Sequence, residues 1–291
     1  MFDFIIKGIY DNIQIACDIW NYFIEATINL LKMDIETYNA DVWNLVVGIN
    51  DNIFVPIGCA LLPLFFVYSL LKESIDFKDL NPYQMLSMCF KFFLAETLVC
   101  YSLKITTQVF NIFGSILQAI INWFSNSNTV YKINLASTAF GQNKDKIGVW
   151  EGLLLSPVSL IVSIAIVVLG LILYITCLGR IIKVLCIIPF GGMVYATAAG
   201  GRGMSSMAVQ YGKFVLSTAA ESLAMFLAIC VANMFLNSTN GLTIVSKIYS
   251  DFSLLGNFGL VCMCMIEIVF GCVLVVTLVK GMEPVVKKIV G

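Results

Sequence analysis

Two acidic residues, Glu221 and Glu267, interrupt long apolar stretches in the C-terminal half of this sequence. If these stretches cross a membrane, the carboxylates lie roughly 12 and 18 Å from the cytoplasmic ends of their helices, at about 1.5 Å per residue. Acids at such depth normally face a bundle interior or a cavity, where they can bind ions or protons. The alternative is a protonated, hydrogen-bonded carboxyl that only fixes helix register. The sequence leaves both roles open.

A second polar set repeats at spacings of 4, 3, 4, 3 and 4: Lys104, Gln108, Asn111, Ser115, Gln118 and Asn122. At 3.6 residues per turn these side chains form one stripe along a helix. A carboxamide facing lipid without a partner costs about 2 kcal/mol or more. The stripe therefore faces a hydrated surface, or it makes hydrogen bonds to other helices. The third and fourth predicted spans offer hydrogen-bond partners for only part of the stripe. These partners are Ser159, Ser163, Ser217, Thr218 and Glu221.

The sequence carries no recognisable catalytic motif. It contains no histidine, which removes His-assisted nucleophiles and His–metal sites. Most of the ten cysteines fall in apolar runs as packing residues, and only Cys262-x-Cys264 comes near a metal-ligand spacing. GxSxG, HExxH and GxGD are missing, and Gly212-Lys213-Phe214 does not fit a P-loop. We predict a non-enzymatic protein without a metal or cofactor.

The composition, 59% hydrophobic and 12% charged, is that of an all-α polytopic membrane protein. Residues 1–52 are acidic, and their helical periodicity predicts an extracellular amphipathic segment. It is too charged to span and suits either the membrane interface or packing against a neighbour. Residues 53–291 form the predicted transmembrane domain, with a surface helix at 83–104. The five predicted spans are 53–71, 105–124, 157–179, 213–236 and 255–279.

The stretch 184–201 is uncharged and nominally long enough to cross, but proline and glycine interrupt it at Pro189, Gly191, Gly192, Gly200 and Gly201. We count only the Lys and Arg within about 15–20 residues of a span end, which leaves out Lys7 and Lys32. With the N-terminus outside and this stretch turning back, eleven of these residues lie inside and four outside. If the stretch 184–201 crosses the membrane, the best six-span arrangement leaves eight of these Lys and Arg on the inner side and seven on the outer side. We therefore predict a broken helical hairpin on the cytoplasmic side and a cytoplasmic C-terminus. A kinked ordinary span is the alternative.

Small side chains recur every four residues in the fourth predicted span, at Ala220, Ala224, Ala228 and Ala232. Such rows let helices approach closely in membranes. The row predicts tight packing, within the chain or between subunits of a homo-oligomer.

Two stretches carry a family resemblance. Residues 51–104, DNIFVPIGCALLPLFFVYSLLKESIDFKDLNPYQMLSMCFKFFLAETLVCYSLK, resemble the front half of TrbL-type membrane subunits of conjugative type IV secretion systems. Residues 178–225, LGRIIKVLCIIPFGGMVYATAAGGRGMSSMAVQYGKFVLSTAAESLAM, are similar in having a basic span end, an apolar stretch with proline and a Gly-containing turn.

The resemblance, to the short form found in mobile elements of Gram-positive bacteria, implies a bacterial cell-membrane protein with an outside N-terminus, about five spans and no catalytic residues. It implies homo-oligomers at the base of the transfer channel. The implied partners are the transfer ATPase, the coupling ATPase, a bitopic scaffold subunit and pilin, besides membrane lipid and transient contact with transferred DNA. We expect this chain to be without the large soluble C-terminal domain that many members of the family carry.

The resulting hypothesis is a non-enzymatic channel or scaffold subunit that supports DNA and protein transfer. A secondary transporter that couples ion movement to a small solute through Glu221 and Glu267 is the alternative, although transporters usually show paired repeats. An assembly factor that never lines the route is a third possibility.

Overall fold

The computed structural model describes residues 2–76, 82–124, 133, 135, 149–201, 203–237 and 256–290. The described elements are all helical, which confirms the predicted all-α class. We number the α-helices α1 Phe2–Lys32, α2 Ile35–Tyr38, α3 Ala40–Ile49, α4 Val55–Asp76, α5 Pro82–Cys100, α6 Ser102–Phe124, α7 Val149–Ile187, α8 Gly191–Ala196, α9 Ser205–Asn237 and α10 Gly256–Val290. A π-helical turn, Asn50–Phe54, joins α3 to α4, and 3-10 turns at Ile188–Phe190 and Thr197–Gly200 flank α8.

Four helical stretches are long and apolar enough to cross a membrane: Ala40–Lys72, Glu151–Gly200, Ser205–Met234 and Val261–Val290. A fifth candidate is the pair Met85–Cys100 and Ser102–Trp123, which bends by 70° at Tyr101. These stretches confirm a multi-pass membrane protein, and they agree with five spans when the bent pair counts as one. The bend lies a few residues before the predicted start of the second span.

The chain divides into two compact units, each built from separate segments of the sequence, and the predicted division at residue 52 stays a prediction. The first unit comprises Met1–Leu31, Ile120–Leu178 and Ala224–Met282. The second unit comprises Lys32–Ala119, Gly179–Leu223 and Glu283–Gly291. The extracellular placement of residues 1–52 stays a prediction about the membrane. Helix α1, except for its last residue, belongs to the first unit. Most of α7 and most of α10 belong to the same unit.

In the first unit, α1 packs through its apolar face. Ile13, Trp20 and Ile24 are completely buried there. The Ser163 hydroxyl of α7 donates a hydrogen bond of 3.3 Å to the carbonyl of Asn12, and the ring of Phe23 lies against Gly170 of α7. The apolar face of the amphipathic helix α1 therefore packs against protein, and α7 is one of its neighbours.

In the second unit, the interrupted stretch after α7 lies alongside α4. The backbone of Gly192 lies against Phe54, the last residue of the π-helical turn, and against Gly58 of α4, whereas Gly201 lies beside Ser69 of α4. These contacts advance in the same direction along both segments, and the stretch is largely buried. Helical geometry changes at Pro189, which cannot donate to the preceding turn.

The stretch ends at a turn that requires glycine. Gly201 has a φ of +73°, a backbone conformation that glycine adopts without steric cost. Gly203 also has a positive φ, and α9 begins two residues later. Arg202, between them, lies outside the described residues, and the cytoplasmic placement of this turn stays a prediction.

Candidate functional site

The predicted polar stripe lies on the exposed face of α6. Lys104, Gln108, Ser115, Gln118 and Asn122 are exposed, and Asn111 is half-buried. The opposite face buries Ser102, Thr106, Phe110 and Leu117. The 3.6-residue period thus separates a polar surface from a packed one along the whole helix.

The stripe makes few hydrogen bonds of its own. Ser115 donates to the carbonyl of Asn111 at 2.9 Å, an ordinary bond within the helix. In the part of the chain that the structure describes, the carboxamides of Gln108 and Gln118 have no hydrogen-bond partner. Because these groups are exposed in the single chain, the assembled protein must supply either water or another subunit.

The hydroxyls that the sequence offers to the stripe bond to backbone carbonyls instead. Ser159 donates to Ser156 and Ser163 to Asn12. Ser217 and Thr218 both donate to the carbonyl of Phe214. Each hydroxyl has a single proton, which is already donated, so these groups could only accept from the amide N–H groups of the stripe. The arrangement favours a hydrated stripe over one satisfied by interhelical hydrogen bonds.

A second polar group of residues surrounds Glu221 in the second unit. Glu221 is almost fully buried, and neither carboxylate oxygen has a hydrogen-bond partner among the described residues. Its charged neighbours are Lys183 and Arg180 at the end of α7, and Glu283 and Lys287 near the end of α10. The ends of α7 and α10 therefore converge on one buried carboxyl group in the middle of α9.

The cations in this group are bonded to other acceptors. Glu283 accepts from Lys183 and, at 2.7 Å, from Lys287 one helical turn away. Arg180, which is buried, donates to the carbonyl of Thr218 at 3.4 Å. Glu283 thus carries two ion pairs while the buried carboxylate carries none, so the group joins α7 to α10 through Glu283.

We expect Glu221→Gln to leave the folded protein at least as stable as the wild type, because its carboxylate has no hydrogen bond to lose. Glu283→Gln is the matched control, and we expect it to lower stability by up to about 1 kcal/mol because it removes two partly exposed ion pairs. Thermal unfolding in detergent measures both. A loss above about 1 kcal/mol for Glu221→Gln would show that its carboxylate fixes helix register by bonding.

The two acids that the sequence predicts within the membrane, Glu221 and Glu267, belong to different units. Glu267 is exposed on α10 in the first unit, whereas Glu221 is buried in the second. The i,i+4 spacing of Glu283 and Lys287 was available as a sequence signal for the ion pair. The pairing of Glu283 with Lys183, 100 positions earlier, left no local signal.

The alanine row on α9 points mostly inward. Ala228 and Ala232 are buried, and Ala220 and Ala224 are half-buried. At least the C-terminal half of the row therefore packs within this chain. No group of three or more His, Cys, Asp or Glu in the described ranges is placed to hold a metal ion.

The sequence was compared with known proteins. No curated protein and no solved structure matches it. A family profile described as "TrbL/VirB6 plasmid conjugal transfer like protein" matches residues 29–191, which include α6 and its polar stripe. Because that match covers more than half of the 291 residues, the chain belongs to the TrbL/VirB6 plasmid conjugal transfer-like family.

Proposed function

We propose that this protein is a non-enzymatic channel or scaffold subunit of a conjugative type IV secretion system and supports the passage of DNA and protein across the cell membrane. The observation that carries the proposal is the exposed polar face of α6, which lies inside the region matched by the conjugal transfer family. A hydrated face of this length suits a subunit that borders an aqueous route.

The proposal includes partners of the kind that a transfer machine requires. They are further copies of the same chain, the transfer ATPase, the coupling ATPase, a bitopic scaffold subunit and pilin. A second copy that continues the polar face of α6 would close a hydrated surface away from lipid. Since the C-terminal half of the alanine row is used within the chain, we place subunit contacts elsewhere on the surface.

A gene deletion tests the proposal. In a donor strain that lacks this gene, we expect conjugative transfer to fall to the detection limit, and the wild-type gene supplied in trans to restore it. The tagged protein should also co-purify with the transfer ATPase from mild detergent. Normal transfer by the deletion strain would contradict the proposal, and a defect confined to uptake of a small solute would favour the transporter alternative.

The proposed topology has the N-terminus outside and the C-terminus in the cytoplasm. In a cysteine-free variant, we expect a single cysteine placed at residues 140–147 to react with membrane-impermeant reagents on intact cells. A cysteine beside Gly203, in the turn before α9, should react only after the membrane is opened. Reaction at residue 203 on intact cells would show that the stretch 184–201 crosses the membrane.

A further inference from the structure

Glu221 on α9 is a buried carboxyl group whose environment suits its uncharged form. The residue is 1% exposed, and neither of its oxygens has a hydrogen-bond partner among the described residues. The nearby hydroxyls of Ser217, Thr218 and Ser222 each donate to a backbone carbonyl of α9 instead. An ionised carboxylate that is buried without a partner is far less stable than a neutral acid in the same place. Glu221 is therefore protonated in this arrangement.

The charged groups around Glu221 come from two other helices of the second unit. Arg180 and Lys183 lie one turn apart on α7, and Glu283 and Lys287 lie one turn apart on α10. When Glu221 is neutral, three cations share one carboxylate, that of Glu283. This excess of positive charge favours an ionised Glu221, whereas burial favours the neutral acid. The two influences oppose each other at one carboxyl group.

Lys183 is the cation best placed to change partners. It bonds Glu283, and among the charged neighbours of Glu221 it has the largest electrostatic effect on that residue. The flexible four-carbon stem of a lysine lets its ammonium group move between nearby acceptors. If Lys183 left, Glu283 would keep a second partner, because Lys287 bonds it at 2.7 Å.

This exchange becomes favourable when Glu221 loses its proton. The side chains of Lys183 and Glu283 are 34% and 35% exposed, and an ion pair that solvent reaches to this extent contributes little to stability. A buried charge without a partner is strongly destabilising. An ionised Glu221 therefore gains more from Lys183 than Glu283 loses.

We propose that Glu221 is a proton-binding site that controls the ion pair between α7 and α10. While the proton is bound, Lys183 pairs with Glu283 and fastens the end of α10 to α7. When the proton leaves to water, the ammonium group of Lys183 moves to the carboxylate of Glu221, and α10 loses its ion pair to α7. Low pH therefore fastens the two helices and high pH releases them.

In the proposed five-span topology these groups lie toward the cytoplasmic ends of their helices, so the site responds to the pH of the cytoplasm. The end of α7 leads directly into the interrupted stretch that packs along α4, which places the exchange beside a change of helical geometry. The inference rests on the second unit alone and does not depend on the role in conjugation.

Infrared difference spectroscopy of the full-length protein in lipid vesicles measures the proton directly. As the pH is raised, we expect the carbonyl stretching band of a protonated carboxylic acid to disappear, and we expect Glu221→Gln to lack this change. Glu267→Gln is the matched control, because Glu267 is exposed on α10 in the first unit, and this variant should keep the band. A pH-dependent spectrum that Glu221→Gln leaves unaltered would overturn the proposal.

The two lysines that bond Glu283 separate the proposed exchange from a general effect of charge. Lys183→Gln removes the partner of the ionised Glu221, so the band should disappear at a pH about one unit higher, the low end of the effect of an adjacent opposite charge. Lys287→Gln removes an equal charge that stays with Glu283, and we expect a clearly smaller shift. Equal shifts in the two variants would overturn the role of Lys183.

Spin labels on α7 and α10 measure the structural consequence. Cys186 on α7 and Val285→Cys on α10 lie at exposed positions, and they are the only cysteines of the labelled protein. Pulsed electron paramagnetic resonance should show the distance between the labels lengthening and its distribution broadening as Glu221 loses its proton. With Glu221→Gln added, the short distance should persist at every pH. An unchanged distribution across the titration of Glu221 would overturn the release of α10.

Discussion

Replacing Gln108, Asn111 and Gln118 together by leucine is expected to abolish conjugative transfer while the protein still inserts and accumulates in the membrane. Gln108 and Gln118 are exposed and make no hydrogen bond within the described residues, so their removal costs the single chain nothing. In the assembled transfer system, the middle of the hydrated face of α6 would become apolar. The measurements are transfer frequency, membrane protein level and melting temperature.

A matched variant changes the apolar side of the same helix. Ile112 and Ile116 are exposed on α6, and their replacement by leucine alters shape without altering polarity. We expect this control to transfer normally. If the triple variant instead has a lower protein level or melting temperature, the stripe is held by interhelical hydrogen bonds. Normal transfer with normal stability would contradict both interpretations.

Gly58→Ala is expected to destabilise the folded protein by about 2–3 kcal/mol, the upper range for overpacking a well-packed site. A Cβ atom at Gly58 would lie 2.6 Å from the carbonyl oxygen of Gly192 and 2.9 Å from its carbon. Both are backbone atoms, so no side-chain rotation can relieve the contact. The stretch after α7 would have to move away from α4. Thermal unfolding of the purified protein in detergent measures the loss.

The control for this substitution is Gly212→Ala. Gly212 lies inside α9, and nothing would meet an added Cβ within 4 Å. Alanine there should leave stability unchanged or raise it by about 0.5–1 kcal/mol, because glycine loses more backbone freedom on folding. If Gly58→Ala is as stable as Gly212→Ala, the close contact between α4 and the stretch after α7 does not exist in the membrane.

Features that depend on local periodicity were predictable from the sequence. The polar stripe of α6 has one polar residue every three or four positions, and the structure separates it from a buried apolar face. The long apolar runs likewise predicted the membrane-crossing stretches, because a lipid-covered helix must be apolar over its whole length.

Features that depend on distant contacts were not predictable in the same way. The predicted surface helix at 83–104 before the second span requires a change of direction near residue 104. No proline or glycine marks Tyr101 as the position of the 70° bend. The ion pair of Lys183 with Glu283 joins residues 100 positions apart. The acids of α1 show from sequence alone that the helix is amphipathic. The sequence does not show that α7 packs against its apolar face, because that contact joins residues far apart in the chain.

The central claim is that the polar face of α6 is hydrated in the working transfer machine. The most direct measurement uses a cysteine-free variant that still supports transfer, because several native cysteines are exposed. Donor cells carrying Gln118→Cys in this background are treated with a membrane-impermeant thiol reagent during mating, beside cells carrying Ile112→Cys on the apolar side of the helix. We predict that the reagent labels Gln118→Cys and stops transfer, and that Ile112→Cys stays unlabelled and transfers normally. Equal labelling of the two cysteines, or continued transfer through fully labelled Gln118→Cys, would contradict the claim.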